Sequence, residues 1–416
     1  MVSNENYTRY NNKIDRSALM NDRVKEFDIK KKMVSNWDVC CLVFSIITHV
    51  VDVILDITLA VRYLLNDRIA HFIWTIVFVF VPTIVVTVMS MKMYKQDQEL
   101  YQNATHVSKK FKARDIGCCL VGVFFHLTPI LRYGNALNYA IQSRKYEKLG
   151  DSNKQKQYYL QMLREDQDAA LLRVTECFLE AAPQQILQLT ILLKNLQNVP
   201  WFEITHQSIC IASSLVSMAS AMATYHRSIR ATQRDKFEIS SLGISLQFCW
   251  HLLITVSRIL AITMVAILYV PYAVSSLLLH WFLMLIWIGA DSHGIHEFCR
   301  NKNRAPHIRR NIIERISSFM FVSVLSVIYI FIYLNPTDGR TFRKYFFYYT
   351  LCLLENIFAC LYWMLTPSTD IRFLWYFQFL PLTCISFFLL GIVIMILYYV
   401  YFHPSLKQKN VESLEI

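Results

Sequence analysis

The sequence predicts an all-α, multi-pass membrane helical bundle of about eight spans plus two re-entrant half-helices, arranged as two internal repeats. Three observations carry this reading. Apolar residues make up 55% of the 416-residue chain and gather in about ten windows that approach or exceed the ~20 residues a bilayer-crossing helix needs. Basic residues, which bring the formal charge to +12, gather in the linkers between those windows, as cytoplasmic loops require. Two of the windows have basic clusters on both flanks, so each must enter and leave the membrane on one side.

Taken in order, residues 1–36 are a polar, cytoplasmic amino-terminal segment ending near Lys30, Lys31 and Lys32. It has neither the short apolar core nor the small-residue cleavage site of a signal peptide. The first window is therefore its own insertion signal. Windows 37–65 and 70–93 form two spans. Window 115–141 lies between linker 92–114, with Lys92, Lys95, Lys109, Lys110, Lys112 and Arg114, and linker 142–168, with Arg144, Lys145, Lys148, Lys154, Lys156 and Arg164. Gly122, Pro129 and Gly134 permit a break there, and re-entrant backbone is tolerated where protein buries it. Spans 169–194 and 203–225 complete a first repeat, 37–225.

A cytoplasmic linker, 226–241, carries Arg227, Arg230, Arg234 and Lys236. The second repeat, 242–402, opens with spans 242–270 and 272–290. Window 312–334 then follows His307, Arg309 and Arg310 and precedes Arg340, Arg343 and Lys344, so it too is expected to return to its starting side. Spans 345–366 and 373–402 close the repeat before a short cytoplasmic tail, 403–416. Broken helices at matching positions of two repeats are a transporter-like layout whose pathway lies between the halves. Both termini then face the cytoplasm, which leaves the sequons at Asn6 and Asn103 unused.

Charges inside the spans carry the functional reading. In VVDVILDITLA (50–60), Asp52 and Asp56 stand at i and i+4 on one helix face, with His49 on the same stripe. Span 169–194 repeats the device with Arg173, Glu176 and Glu180, followed by Pro183, Gln184, Gln185 and Gln188. Arg132 in the first hairpin and Arg258 in HLLITVSRILA are the basic candidates to face these carboxylates. Glu355, in the matching span of the second half, and Asp291, near an inner mouth, extend the set. Arg62, at the outer end of its span, can snorkel to the interface.

A charge at the bilayer centre costs about 2.5–3.5 kcal/mol on insertion scales, so these groups must pair or be hydrated. Two readings follow. The set is either a group of buried ion pairs that orients helices, or a polar track whose mixed signs suit a zwitterionic headgroup.

Several chemistries are excluded. The basic linkers fit an anionic leaflet rather than DNA or RNA. The 11 cysteines, with pairs Cys40-Cys41 and Cys118-Cys119, show neither metal-ligand spacing nor a secreted disulfide framework, and packed thiols are expected. His126, His251, His280 and His293 share no metal spacing. No phosphate loop, nucleophile elbow or paired catalytic His/Cys set stands out, so neither enzyme activity nor a cofactor is expected.

The stretches ECFLEAAPQQILQLTILL (176–193), FHLTPILRY (125–133), VSRILA (256–261), LLENIFACLYW (353–363) and VVDVILD (50–56) resemble the XK-related membrane protein family, over roughly residues 37 to 402. The resemblance implies the eight-span, two-half-helix architecture. It also implies that Asp52, Asp56, Arg132, Glu176, Glu180, Arg258 and Glu355 belong to the charged track of a lipid path. Some family members are caspase-activated phospholipid scramblases that expose phosphatidylserine on dying cells. The founding member instead associates with the Kell protease.

The expected partners are membrane phospholipids and a single-span membrane protein, and the expected location is the plasma membrane. One departure bears on regulation: the tail HPSLKQKNVESLEI contains no aspartate and so no caspase site. Asp15, Asp22 and Asp28 are followed by Arg16, Arg23 and Ile29, and Asp168 abuts a span. A solute transporter and a non-catalytic membrane subunit are the alternatives.

Overall fold

The structure is a computed structural model. It describes residues 33–102, 128–196, 200–232, 239–290, 311–334, 342–366 and 369–403. All regular elements among them are helical. Asp291, His126, His293, both sequons, the amino-terminal aspartates and the tail from residue 404 lie outside the described residues.

Helices α1 (Asn36–Leu65) and α2 (Ile69–Gln102) form the first antiparallel pair. A capping box starts α1: the Ser35 side chain accepts from Trp37 N, and Ser35 N donates to Asp38. Its end is a Schellman-type turn with Asp67 at φ 55°, where Arg68 N bonds Tyr63 O and Asp67 N bonds Leu64 O.

Helices α3 (Thr128–Lys148) and α4 (Ser152–Glu176) form a tight hairpin. Its turn repeats the Schellman pattern, with Asp151 N to Tyr146 O and Gly150 N to Glu147 O, and Gly150 at φ 76°. Gly150→Ala is expected to cost ~1 kcal/mol, because a Cβ disfavours the left-handed region. Faster amide exchange confined to the hairpin tip would show it, and unchanged exchange would refute it. Asp151 caps α4, and the Lys154 backbone N–H that it accepts holds its carboxyl below the ordinary aspartate range.

A π-helical turn, Cys177–Ala181, joins α4 to α5 (Ala182–Asn195). Pro183 supplies the reason: without an N–H it cannot donate to the preceding turn, which widens instead. Helices α6 (Trp201–Thr232), α7 (Ser241–Leu268) and α8 (Val270–Ala290) follow. Next comes α9 (Ile312–Ile328), which opens with an Asn311–Glu314 capping box. Its continuation, residues 329–334, is non-helical and buried, as expected of a helix that stops inside the bundle. Helices α10 (Phe342–Leu365), α11 (Thr369–Arg372) and α12 (Phe379–Leu397) complete the order.

Seven of these helices are long and apolar enough to cross a membrane: α1, α2, α6, α7, α8, α10, and α12 with its π-helical extension to Phe402. The remaining predicted span, 169–194, falls on the α4–π turn–α5 run, whose polar residues are buried in protein. Of the first hairpin only the second limb, α3, lies within the described residues.

Helix α7 is the axle. It packs on α5, α6, α8, α10 and α12, and the core is built round Trp250, Ile254 and Ile259. Gly391 lets α12 approach closely, since a Cβ there would meet Ile254 side-chain carbons at 3.0 Å. On the outside, α1, α8 and α12 expose Ile47, Ile54, Leu279, Phe282, Leu382 and Leu389. A belt of that breadth is expected of a lipid-facing surface, not a water-facing one.

Candidate functional site

The intramembrane charges meet at three separate places. The first joins α1, α4, the π turn, α5 and α6. Arg173 is its centre. Its Nη2 donates to Asp52 Oδ2 at 2.8 Å and to Ser217 Oγ, and its Nη1 donates to Glu176 Oε2 at 2.9 Å. Nη1 also reaches His49 Nδ1 at 2.7 Å. Because a guanidinium only donates, that nitrogen accepts; the 3.1 Å approach of the same nitrogen to Glu176 Oε2 is then close packing rather than a donated bond.

Ser214 Oγ donates to Asp52 Oδ1 at 3.2 Å. Gln184 Nε2 donates to Asp56 Oδ1 at 2.6 Å. Asp52, Arg173, Glu176 and Glu180 are all buried. A small cavity of about 10 Å³ lies among His49, Asp52, Asp56, Arg173, Glu176 and Glu180, the room of about one water molecule.

Helix geometry explains the assembly. Asp52 and Asp56 present one stripe of α1, and Arg173 and Glu176 are i, i+3 neighbours on α4. The π turn then carries Glu180 on to the same side, and Gln184 follows it one turn later on α5.

Residues 40–404 match the family described as XK-related protein. The chain belongs to the XK-related family. Among its relatives, Cell death abnormality protein 8 of Caenorhabditis briggsae is 25% identical over 407 residues, covering 94% of this chain and 83% of that protein. The Caenorhabditis elegans protein of the same name is 24% identical over 404 residues, again covering 94% and 83%.

In this XK-related chain the two arginines expected to face the carboxylates face other groups. Arg132, on α3, donates from Nη1 to Asp168 at 2.8 Å and to Glu165 at 3.2 Å, and from Nη2 to the Ser90 carbonyl at 3.2 Å. Its guanidinium lies 3.7 Å from the Tyr94 ring centroid. It therefore joins α2, α3 and α4, away from Asp52.

Arg258 sits at the third place. It donates to Glu355 Oε2 at 2.6 Å, to Asn356 Oδ1 at 2.8 Å and to the Ile330 carbonyl at 3.0 Å. His280 lies 2.8 Å from Glu355 Oε1 through Nδ1 and 3.0 Å from the Tyr329 carbonyl through Nε2. Arg258 and His280 thus hold the carbonyls left open where α9 stops. Glu355 is partly exposed, at 32% of its side chain.

The counter-charge of the first cluster is Arg173, three residues from one of the acids it serves, Glu176, and 121 from the other, Asp52. Its i, i+3 spacing to Glu176 is the signal that could have found it. Ser214 and Ser217 gave no such signal, because serines are common on spans. A further ion-paired joint also went unpredicted: Arg227 on α6 reaches Asp38 at 3.1 Å and Asp166 at 3.3 Å. Arg62 lies over the Phe202 ring at 5.1 Å. Of the cysteines in the described residues, five are buried as packed thiols, while Cys40 and Cys249 are exposed. Among the described residues no three His, Cys, Asp or Glu side chains converge as metal ligands.

Proposed function

We propose that this XK-related protein is a phospholipid scramblase. It moves phosphatidylserine and other headgroups down their gradients along a charged intramembrane track, with no covalent step and no cofactor. The observation that carries this is the α1–α4–α6 cluster: four carboxylates, a guanidinium and two serines placed where the bilayer-length helices α1 and α6 meet the α4–π turn run, and where apolar side chains would pack at lower cost. Structural ion pairing alone needs one acid for one base. An excess of acids beside an exchangeable Arg173 suits a zwitterion, whose phosphate can replace a carboxylate on Arg173 while its ammonium meets the acids released.

In this arrangement the track is closed, since the cavity has room for about one water. Arg132, Arg258 and Glu355 are flanking stations, and Glu355 is the most exposed of these three. The relatives' name, Cell death abnormality protein 8, accords with a plasma-membrane role in exposing phosphatidylserine on dying cells. A single-span membrane partner would lie against the exposed apolar faces of α8 or α12.

The test is purified protein in liposomes carrying a fluorescent lipid in both leaflets. Scrambling makes inner-leaflet probe accessible to dithionite, and Asp52→Asn with Asp56→Asn is expected to slow this at least ~10-fold while folding, checked separately, persists. Protection equal to that of protein-free vesicles under every activating condition would sink the reading. It would leave the chain a non-catalytic membrane subunit, or a solute carrier if uptake of a polar solute saturates.

A further inference from the structure

Two cysteines sit level with each other on neighbouring helices. Cys360 lies five residues before the end of α10 at Leu365, and Cys384 lies five residues after the start of α12 at Phe379. At about 1.5 Å per residue, both are roughly 7.5 Å into the bundle from the segment that joins the two helices. Packing of α10 on α12 brings the side chains together. Both belong to one buried cluster, and their thiols form a hydrogen-bonded pair. Cys360 Sγ also lies 3.9 Å from the carbonyl of Pro381, one helix turn before Cys384.

The Cys384 sulfur is held in place from a third helix, α7. Its S–H donates to the Ser257 carbonyl at 3.3 Å, and Ser257 Oγ donates to the Cys384 carbonyl at 2.7 Å. Asn356 Nδ2 donates to Ser257 Oγ at 3.0 Å, and Asn356 in turn accepts from Arg258. Among the described residues no group of three His, Cys, Asp or Glu converges as metal ligands, which argues against a metal at this pair. Two thiols in contact, one of them fixed by its neighbours, have the parts that disulfide chemistry needs.

We propose that Cys360 and Cys384 are a redox site, a dithiol that closes to a disulfide bracing α10 against α12. The oxidant is a small-molecule or protein disulfide. The thiolate of Cys360, the less buried of the two at 9% against 0%, attacks one sulfur of that disulfide and releases the other. The Cys384 thiolate then displaces the remaining half of the oxidant from the mixed disulfide. Two protons pass from the cysteines to the two departing thiolates, and two electrons reduce the oxidant to two thiols. With the tail cytoplasmic, as the sequence predicts, α12 starts on the outer side of the membrane, where disulfides form and persist. The site is a property of the folded protein and does not depend on lipid transport.

The experiment incubates purified full-length protein in detergent with excess oxidised glutathione or with dithiothreitol, and maps the cysteines by mass spectrometry of an unreduced digest. Cys40 and Cys249 are exposed and report, as mixed disulfides with glutathione, that the oxidant has acted. A peptide pair linked through Cys360 and Cys384, and separated again by dithiothreitol, is the expected product. Closing a loop restricts the unfolded chain, so the thermal midpoint of the oxidised protein should lie ~4 °C above that of the reduced protein. Cys360→Ser and Cys384→Ser should each abolish the linked peptide and this difference. Their own effect on folding does not enter, because the two redox states of one variant are compared. Recovery of Cys360 and Cys384 as free thiols after Cys40 and Cys249 have reacted fully would overturn the proposal, and so would a linked pair that leaves the midpoint unchanged.

Discussion

Arg173→Met is expected to be among the most damaging single substitutions in the chain, lowering stability by about 3–5 kcal/mol. Methionine fills much of the volume and keeps the helix. It leaves Asp52 and Glu176, both buried, with their charges uncompensated, and His49 and Ser217 lose the donor they share. The sign is tested by neutralising the acids as well. Arg173→Met with Asp52→Asn and Glu176→Gln is expected to recover most of the loss, because breaking a buried pair costs far more than replacing both sides of it. Thermal unfolding followed by tryptophan fluorescence reads this directly. If the triple variant is no more stable than Arg173→Met alone, the loss comes from packing and not from stranded charge.

Arg258→Met should cost about 3 kcal/mol or more by a different route. Arg258 donates both to a carboxylate and to the Ile330 carbonyl at the buried end of α9. Its loss leaves Glu355 with His280 as its remaining partner and leaves a buried backbone acceptor open. The damage should concentrate in residues 329–334, whose amides are expected to exchange at least ~10-fold faster, while α1 and α4 keep their protection. Glu355→Gln should be milder, since His280 keeps its bond to the Tyr329 carbonyl. Uniform loss of protection in both halves would show that Arg258 supports the whole bundle and not this one end.

The helices were legible because hydropathy is a local property. Windows 37–65, 203–225, 242–270 and 345–366 fall on α1, α6, α7 and α10 within a few residues at most of their ends, apart from the polar run that extends α6 to Thr232. Window 373–402 ran long at its start, since Phe373 to Gln378 make turns before α12 begins; aromatic residues there raise hydropathy without forming a helix. The candidate charges were legible because an ionised group in an apolar run is rare.

Their pairing was not. Whether Arg132 meets Asp52 or Asp168 depends on how α3 is rotated and how deep it sits, and neither is encoded in the residues flanking Arg132. Arg173 could be paired with Glu176 because one helix turn separates them. Its bond to Asp52 spans 121 positions and required the fold.

That separation also sets an order of events during synthesis. Chains are made at about 5–20 residues per second, so Arg173 emerges roughly 6–24 s after Asp52, and Ser217 later still. Throughout that interval α1 carries Asp52 and Asp56 with none of the partners they have in the finished molecule. At ~2.5–3.5 kcal/mol per charge at mid-bilayer, α1 is poorly suited to settle in lipid alone. Helix α1 must wait at the insertion machinery, in water or against a holding protein, until α4 and α6 arrive to claim it.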